Sequence, residues 1–297
     1  MQQGPATLVS DLLVTYPLDL EPKRLRDVIA SFVVDRGWAS HPNFAAERGE
    51  EWERRVERML CKALNELKGN GRPTRIAFNS SDSSLVQGAC FIEPNDSASV
   101  AEQKRRRIRS DSLVHMIRQL SPAEFELLCR RLLAILGVST PYLTRRTADE
   151  GIDFYGRLDG EIVFFPRDSE PTLQRQLSIW VVGQAKHFVG GQVGTREVRD
   201  LVGAIALVRS GVYSTNTPAF AELRLRPHDA VFAVLVTGGT LSARAWTLLR
   251  RSGVVGVDGA LLAAFLADRG APVGSTDLLR FRRWLREPLG AEQSNEQ

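Results

Sequence analysis

The chain has 297 residues, 43% of them hydrophobic and 25% charged, enough to bury one large core or two smaller ones. A formal charge of +4 suits an anionic partner without requiring one. Three scattered cysteines (Cys61, Cys90 and Cys129) and four dispersed histidines argue against a disulfide framework, structural zinc and a histidine-based metalloenzyme. The N-terminus lacks the pattern of a signal peptide, and no apolar run approaches the ~20 residues that span a bilayer. The expected location is the cytoplasm, with no membrane partner.

The first predicted helix carries Leu25, Val28, Ile29, Phe32 and Val33 at helical spacing, with Gly37 placed as a C-terminal cap. A second holds Trp52, Val56, Met59, Leu60, Ala63, Leu64 and Leu67 and is broken at Gly69. Two strands, TRIAFN and LVQGACFIE, then flank the polar turn SSDSS. Residues 1–93 therefore read as a small α+β recognition domain, either winged-helix-like or an unrelated cap. Residues 94–110 combine proline, small polar residues and a basic run, and 94–117 is predicted to be a basic linker. Its Lys104, Arg105, Arg106, Arg107 and Arg109 are either a solvated run or contacts for nucleic-acid phosphates.

Ser121, Pro122 and Glu124 form a capping box with proline at the first helical position. Phe125, Leu128, Leu132, Leu133 and Leu136 follow at helical spacing before Gly137, the clearest helix in the chain. Strands are expected around 138–145 and 152–158, followed by a polar hairpin extension near 166–176. The run IWVVGQAK is apolar and then abruptly polar, as in a buried strand that delivers its last residues to a cleft. Residues 195–209 form a helix, AVFAVLVT a strand, LSARAWTLLRRS a helix, and VVGV with GALLAAFLADRG a last strand and helix. This alternation predicts an α/β domain over 118–270 whose mixed sheet is covered on both faces. Residues 271–297 make a basic C-terminal helix and tail containing Arg280, Arg282, Arg283 and Arg286.

The chemistry concentrates at EGID, ending in Asp153, and at Gln184 and Lys186. Residues two apart on a strand share a face, so Gln184 and Lys186 project together while Ala185 faces away. If Asp153 ends the neighbouring strand, a carboxylate, an amide oxygen and an ammonium converge. Hard oxygens of this kind suit Mg²⁺, which lowers the pKa of a bound water, and a lysine can orient that water or neutralise charge on a phosphate.

SPAEFELL, EGID, VVGQAK, REVRDLVGAIA, VLVTGGTLSARA and VVGVDGALLAAFL, in this order over about residues 118–269, resemble the catalytic domain of the Mrr-like restriction endonucleases of the PD-(D/E)xK superfamily. The resemblance implies a restriction-endonuclease-like αβββαβ core, Mg²⁺ as cofactor and double-stranded DNA as substrate. It makes Asp153 the principal metal ligand, Lys186 the catalytic lysine, Gln184 the occupant of a position that is often a carboxylate, and Glu126 the helix carboxylate. Metal binding then leans on Asp153, Glu126, Gln184 and the Ala185 carbonyl. Arg145, Arg146 and Arg196 flank the cleft as candidate phosphate contacts or as solvated surface.

Two features depart from the family pattern: a long interval between Asp153 and Gln184, and Glu150 as the acid that opens EGID. The implied role is a type II or type IV restriction-like deoxyribonuclease in defence against foreign or modified DNA, with a homodimer and a defence-system partner protein as candidate assemblies. The rivals are a structure-specific repair or junction nuclease and a DNA-binding regulator on a degenerate nuclease fold.

Overall fold

The computed structural model describes residues 3–144, 151–158, 179–188, 190–213, 222–271 and 277–288. The chain divides into two units, Met1–Ser110 and Asp111–Gln297.

In the first unit, helices α1 (Pro5–Thr15), α2 (Leu25–Asp35) and α3 (Pro42–Gly69) enclose a core that includes Leu8, Leu12, Ile29, Val33, Val56 and Leu60. Strands β1 (Lys23–Arg24), β2 (Ile76–Phe78) and β3 (Leu85–Gly88) pair antiparallel in the order β1-β3-β2. Gly37 follows α2 in the left-handed region at φ 65°, as the spacing predicted. Helix α3 starts ten residues before Trp52, because Pro42 occupies its first turn and the Asn43 N–H donates to His41 Nδ1 at 3.3 Å. At Gly49 the α2 backbone comes so close that a Cβ would stand 2.6 Å from the Arg26 carbonyl oxygen. The strand expected through Glu93 ends at Gly88, where the chain changes partner. Gly88 N donates to Leu20 O at 2.8 Å and Cys90 N to Leu18 O at 2.7 Å.

The expected linker over 94–117 is instead helical on both sides of the unit boundary. Helix α4 (Ala98–Ile108) ends the first unit and α5 (Ser110–Arg118) opens the second. Lys104 holds α4 in place, since Nζ donates to the Phe91 carbonyl at 2.8 Å and to Asp96 Oδ2 at 2.7 Å. A lysine with two internal acceptors is part of the fold and not a free phosphate contact. Arg105 and Arg106 both pair with Glu102 on the exposed side of α4.

The second unit begins with α5 and α6 (Pro122–Ile135) and continues through β4 (Tyr142–Leu143), β5 (Phe154–Leu158) and β6 (Ile179–Lys186). After the short β7 (Gln192–Val193), helix α7 (Thr195–Arg209) leads to β8 (Ala230–Thr237), β9 (Thr240–Leu241), α8 (Ala243–Ser252), β10 (Val255–Val257) and α9 (Gly259–Asp268). The five-stranded sheet has the order β10-β8-β6-β5-β4, with β4, β5 and β6 antiparallel to their neighbours and β6, β8 and β10 parallel. The expected αβββαβ order is present as α6, β4, β5, β6, α7 and β8. Period-two alternation covers both faces. Ile179, Val181, Val234 and Val236 join α6 and α9 on one side. Trp180, Val182 and Leu235 meet α7 and α8 on the other. Gly183 sits where a side chain would overlap the Phe154 ring and crowd the Val234 carbonyl. The hairpin extension expected near 166–176 lies outside the described residues.

The C-terminal helix α10 (Leu278–Arg286) is part of this core and not an appended tail. Phe281, Trp284 and Leu285 are buried in the same cluster as Leu113, Phe125 and Leu266. Arg131 of α6 is 2% exposed; its guanidinium lies 4.4 Å from the Trp284 ring centre, and Nη1 donates to the Glu287 carbonyl at 3.0 Å. Glu124 completes the clasp. Its carboxylate accepts from Ser121 N at 2.9 Å, as the capping box requires, and lies 3.1 Å from Arg282 Nε and 3.3 Å from Arg286 Nη2.

The Ser121 backbone N–H, followed by its hydroxyl and the Arg282 and Arg286 charges, holds Glu124 below the usual carboxylate value, against the opposing effect of burial. A depressed folded-state pKa stabilises above the unfolded value near 4.5, and the stabilisation is lost as pH falls through the lower folded value. Glu124→Gln is expected to reduce stability at neutral pH by about 0.5–2 kcal/mol. Melting curves from pH 7 to 3 should show the wild-type advantage shrinking once pH drops below that unfolded value.

Candidate functional site

The site forms where β5 stops short of the end of β6. Phe154 pairs with Gly183, and one residue earlier Asp153 N still donates to Gly183 O at 2.9 Å. Beyond that point β6 has no strand on this side among the described residues. The Asp153 side chain takes over: Oδ2 accepts the Ala185 N–H at 2.7 Å. Alternate residues of a strand send their N–H and C=O to the same side, so the Ala185 carbonyl lies along the edge that Asp153 occupies.

Parity sorts the end of β6 as the sequence predicted. Gln184 and Lys186 share a face with Trp180 and Val182, towards α7, while Ala185 packs with the α6 cluster. Gln184 is 3% exposed, and its Oε1 is buried with no hydrogen-bond partner among the described residues. Its Nε2 lies beside Gly151, which takes φ 79° and carries no side chain between the amide and α7. A Cβ there would meet Ala204 at 3.1 Å and Gln184 Nε2 at 3.8 Å. The glycine of EGID thus has a structural requirement of its own. Lys186, partly exposed, stands one pleat beyond Gln184 at the last residue of the strand, opposite Thr237 of β8.

Helix α6 supplies the second carboxylate. Glu126 lies on the other flank of Phe125 from Glu124, which is occupied by the cap and the two arginines. One turn further, the Cys129 thiol is fully buried, and its pKa is pushed up first by burial and then by the charges of Asp153 and Glu126. Both carboxylates are therefore within electrostatic reach of one buried thiol. The structure sets Gln184 and Lys186 at the end of β6 and Asp153 on Ala185 of the same strand, while Glu126 of α6 is linked to Asp153 by their shared effect on the Cys129 thiol.

Arg196 lies in the first turn of α7, highly exposed and 3.7 Å from Asp200. Arg145, Arg146 and Glu150 lie outside the described residues. Among the described residues no three His, Cys, Asp or Glu side chains form a group that could hold a metal. No helix among the described residues is long and apolar enough to cross a membrane.

His187 is the residue that sequence reasoning missed. Its ring stacks on Phe125, centroids 4.8 Å apart, and Nε2 lies 2.7 Å from the Leu120 carbonyl. The one sequence signal is its place directly after Lys186.

Comparison with known proteins bears on what this arrangement does. The Mrr_cat restriction endonuclease family matches residues 117–266, just over half of the chain. Among solved structures, the MspJI restriction endonuclease in complex with a 27-mer oligonucleotide is 22% identical, with a TM-score of 0.40 over 68% of this chain and 41% of that one. The DNA modification-dependent restriction endonuclease AspBHI is 19% identical, with a TM-score of 0.39 over 70% of this chain and 46% of that one. The chain spans less than half the length of either. No curated protein matches it. With the αβββαβ order in place and over half the sequence matched, the chain belongs to the Mrr_cat restriction endonuclease family.

Proposed function

We propose that this protein is a Mg²⁺-dependent DNA endonuclease that hydrolyses phosphodiester bonds of double-stranded DNA in the cytoplasm, in restriction or defence against foreign or modified DNA. The observation that carries the reading is the buried Oε1 of Gln184, which has no hydrogen-bond partner among the described residues and lies one residue before Ala185, whose N–H donates to Asp153. A buried amide oxygen without a donor is unfavourable by about 1–3 kcal/mol, and a hard cation satisfies it. Asp153, Glu126, Gln184 Oε1 and the Ala185 carbonyl supply only oxygen, a donor set that fits Mg²⁺. When bound, the metal would supply an activated water and charge neutralisation at the phosphate.

The chain's own residues do the remaining work. Asp153 is oriented by the Ala185 N–H, so its carboxylate is fixed before any ligand arrives. Lys186 places a positive charge one pleat from Gln184, where it orients the attacking water or stabilises charge developing on the phosphate oxygens. The buried wall of Phe125, Phe154 and Cys129 behind these groups lowers the local dielectric and strengthens each interaction. Arg196 and the exposed arginines of α4 are candidate contacts to the DNA backbone.

The first unit reads as the recognition module. Its element order α1, β1, α2, α3, β2, β3, with sheet order β1-β3-β2, supports a winged-helix reading. Helix α3 carries six basic residues, at 48, 54, 55, 58, 62 and 68, and six acidic ones, at 47, 50, 51, 53, 57 and 66. Its net charge is balanced, whereas α4 carries the consecutive basic run Lys104 to Arg107.

Plasmid cleavage, tested with methylated and unmethylated DNA in Mg²⁺ and in chelator, should require the metal. Asp153→Ala and Lys186→Ala should each abolish cutting while melting temperature and DNA binding stay near wild type, and wild-type cutting by either would overturn the assignment. Glu126→Gln should lower activity or raise the Mg²⁺ requirement with little loss of stability, the reverse of Glu124→Gln. Replacing Arg105, Arg106 and Arg107 with glutamine should flatten the salt dependence of DNA binding by up to about one unit of slope per lost contact. An unchanged slope would assign these arginines to solvated surface.

A further inference from the structure

His187 is fixed more completely than a residue following a strand needs to be. A carbonyl can only accept, so at 2.7 Å from Leu120 O the Nε2 atom must carry the proton and donate. One face of the ring lies on Phe125 with the planes 25° apart. At Gly238, in the turn after β8, a Cβ would come within 2.8 Å of His187 Nδ1 and 3.2 Å of Cε1. The backbone of that turn therefore closes the edge of the ring opposite Leu120. Nδ1 is buried and has no partner among the described residues, so the ring is held through Nε2, its face and its packing.

The sequence neighbours of these contacts are the proposed catalytic groups. His187 is bonded to Lys186, and Phe125 is bonded to Glu126. Leu120 immediately precedes Ser121, the cap from which α6 starts. Near the site Ala185 of β6 also packs on the apolar cluster that includes α6, and such packing resists separation but has little directional preference. A hydrogen bond and a ring stack, both directional, set one element against the other at the point where each delivers a functional side chain.

We propose that His187 is a positioning residue that fixes the Lys186 end of β6 against the Glu126 end of α6, and that Gly238 is a glycine because the ring occupies the space of its side chain. The proposal rests on the nuclease reading above. It assigns His187 no contact with DNA and no proton transfer.

The test uses the full chain and four variants. His187→Ala removes both contacts, His187→Phe keeps the stack without the donor, His187→Gln keeps a donor of similar reach, and Gly238→Ala displaces the ring while leaving the histidine. Mg²⁺ alone is titrated into each protein, without DNA, by calorimetry, and single-turnover cleavage is measured at saturating Mg²⁺ and DNA. His187→Ala and Gly238→Ala are expected to raise the half-saturating Mg²⁺ concentration or lower the cleavage rate on the order of 10-fold or more, with the affinity for DNA unchanged. His187→Gln should recover much of the loss and His187→Phe less. Wild-type metal response and rate in folded His187→Ala or Gly238→Ala would overturn the proposal, as would a loss in His187→Gln equal to that in His187→Phe. If His187→Ala fails to fold, Gly238→Ala and the Gln–Phe pair decide it. A wild-type protein that neither binds Mg²⁺ nor cuts DNA would instead remove the nuclease reading itself.

Discussion

A carboxylate accepting a backbone N–H at the end of an unfinished strand pair is the contact on which the rest of the site depends. Asp153 sits one residue outside β5, so its backbone still belongs to the sheet through Gly183 while its side chain continues the pairing to Ala185. A charge-assisted bond of this kind is short and roughly twice as strong as a neutral one. It registers the carboxylate against β6 with the accuracy of the sheet itself. Every other group is then placed by strand parity or helical spacing relative to that point: Gln184 and Lys186 on one face, Ala185 and His187 on the other, and Glu126 across Cys129.

Glycines make that registration feasible. Gly183 admits the Phe154 ring beneath the strand, and Gly151 lets the chain turn at positive φ between the Gln184 amide and α7. Either position filled by a side chain would push the two halves of the site apart. Such tight steric demands are consistent with a site whose oxygen donors must meet within a fraction of an ångström.

Much of the second unit was legible in the sequence because its signals are local. The capping box at Ser121 and Glu124, the alternation that ends in GQAK and the helical stripe over 195–209 each specify an element from a few adjacent residues, and all three stand where expected. What the sequence hid depends on distant partners. Lys104 looks like one member of a basic run until Asp96 and the Phe91 carbonyl are folded against it. The stretch taken for a linker holds two helices, and Leu113, Met116 and Ile117 of α5 are buried in a cluster whose other members are distant in sequence, on α6, the sheet, α9 and α10. LVQGACFIE has the composition of one long strand, yet the close approach of Leu18 and Leu20 ends it at Gly88. His187 carried no signal beyond its place after Lys186, since the residues that hold it, Leu120, Phe125 and Gly238, are far from it in sequence.

The family match stops at residue 266, but the core does not. Phe281, Trp284 and Leu285 are sealed into it, and Arg131, on the helix that bears Glu126, has its guanidinium stacked on Trp284 and bonded to the Glu287 carbonyl. A guanidinium is always charged, and stripping away α10 would leave one facing an apolar groove with its acceptor gone. Dissection of this protein by family boundaries alone would therefore yield a fragment with an open, sticky flank on its α6 helix. The smallest piece that can be expected to stand alone runs from the start of α5 to beyond Glu287, and the basic helix at its end is best regarded as the last course of masonry in the nuclease wall.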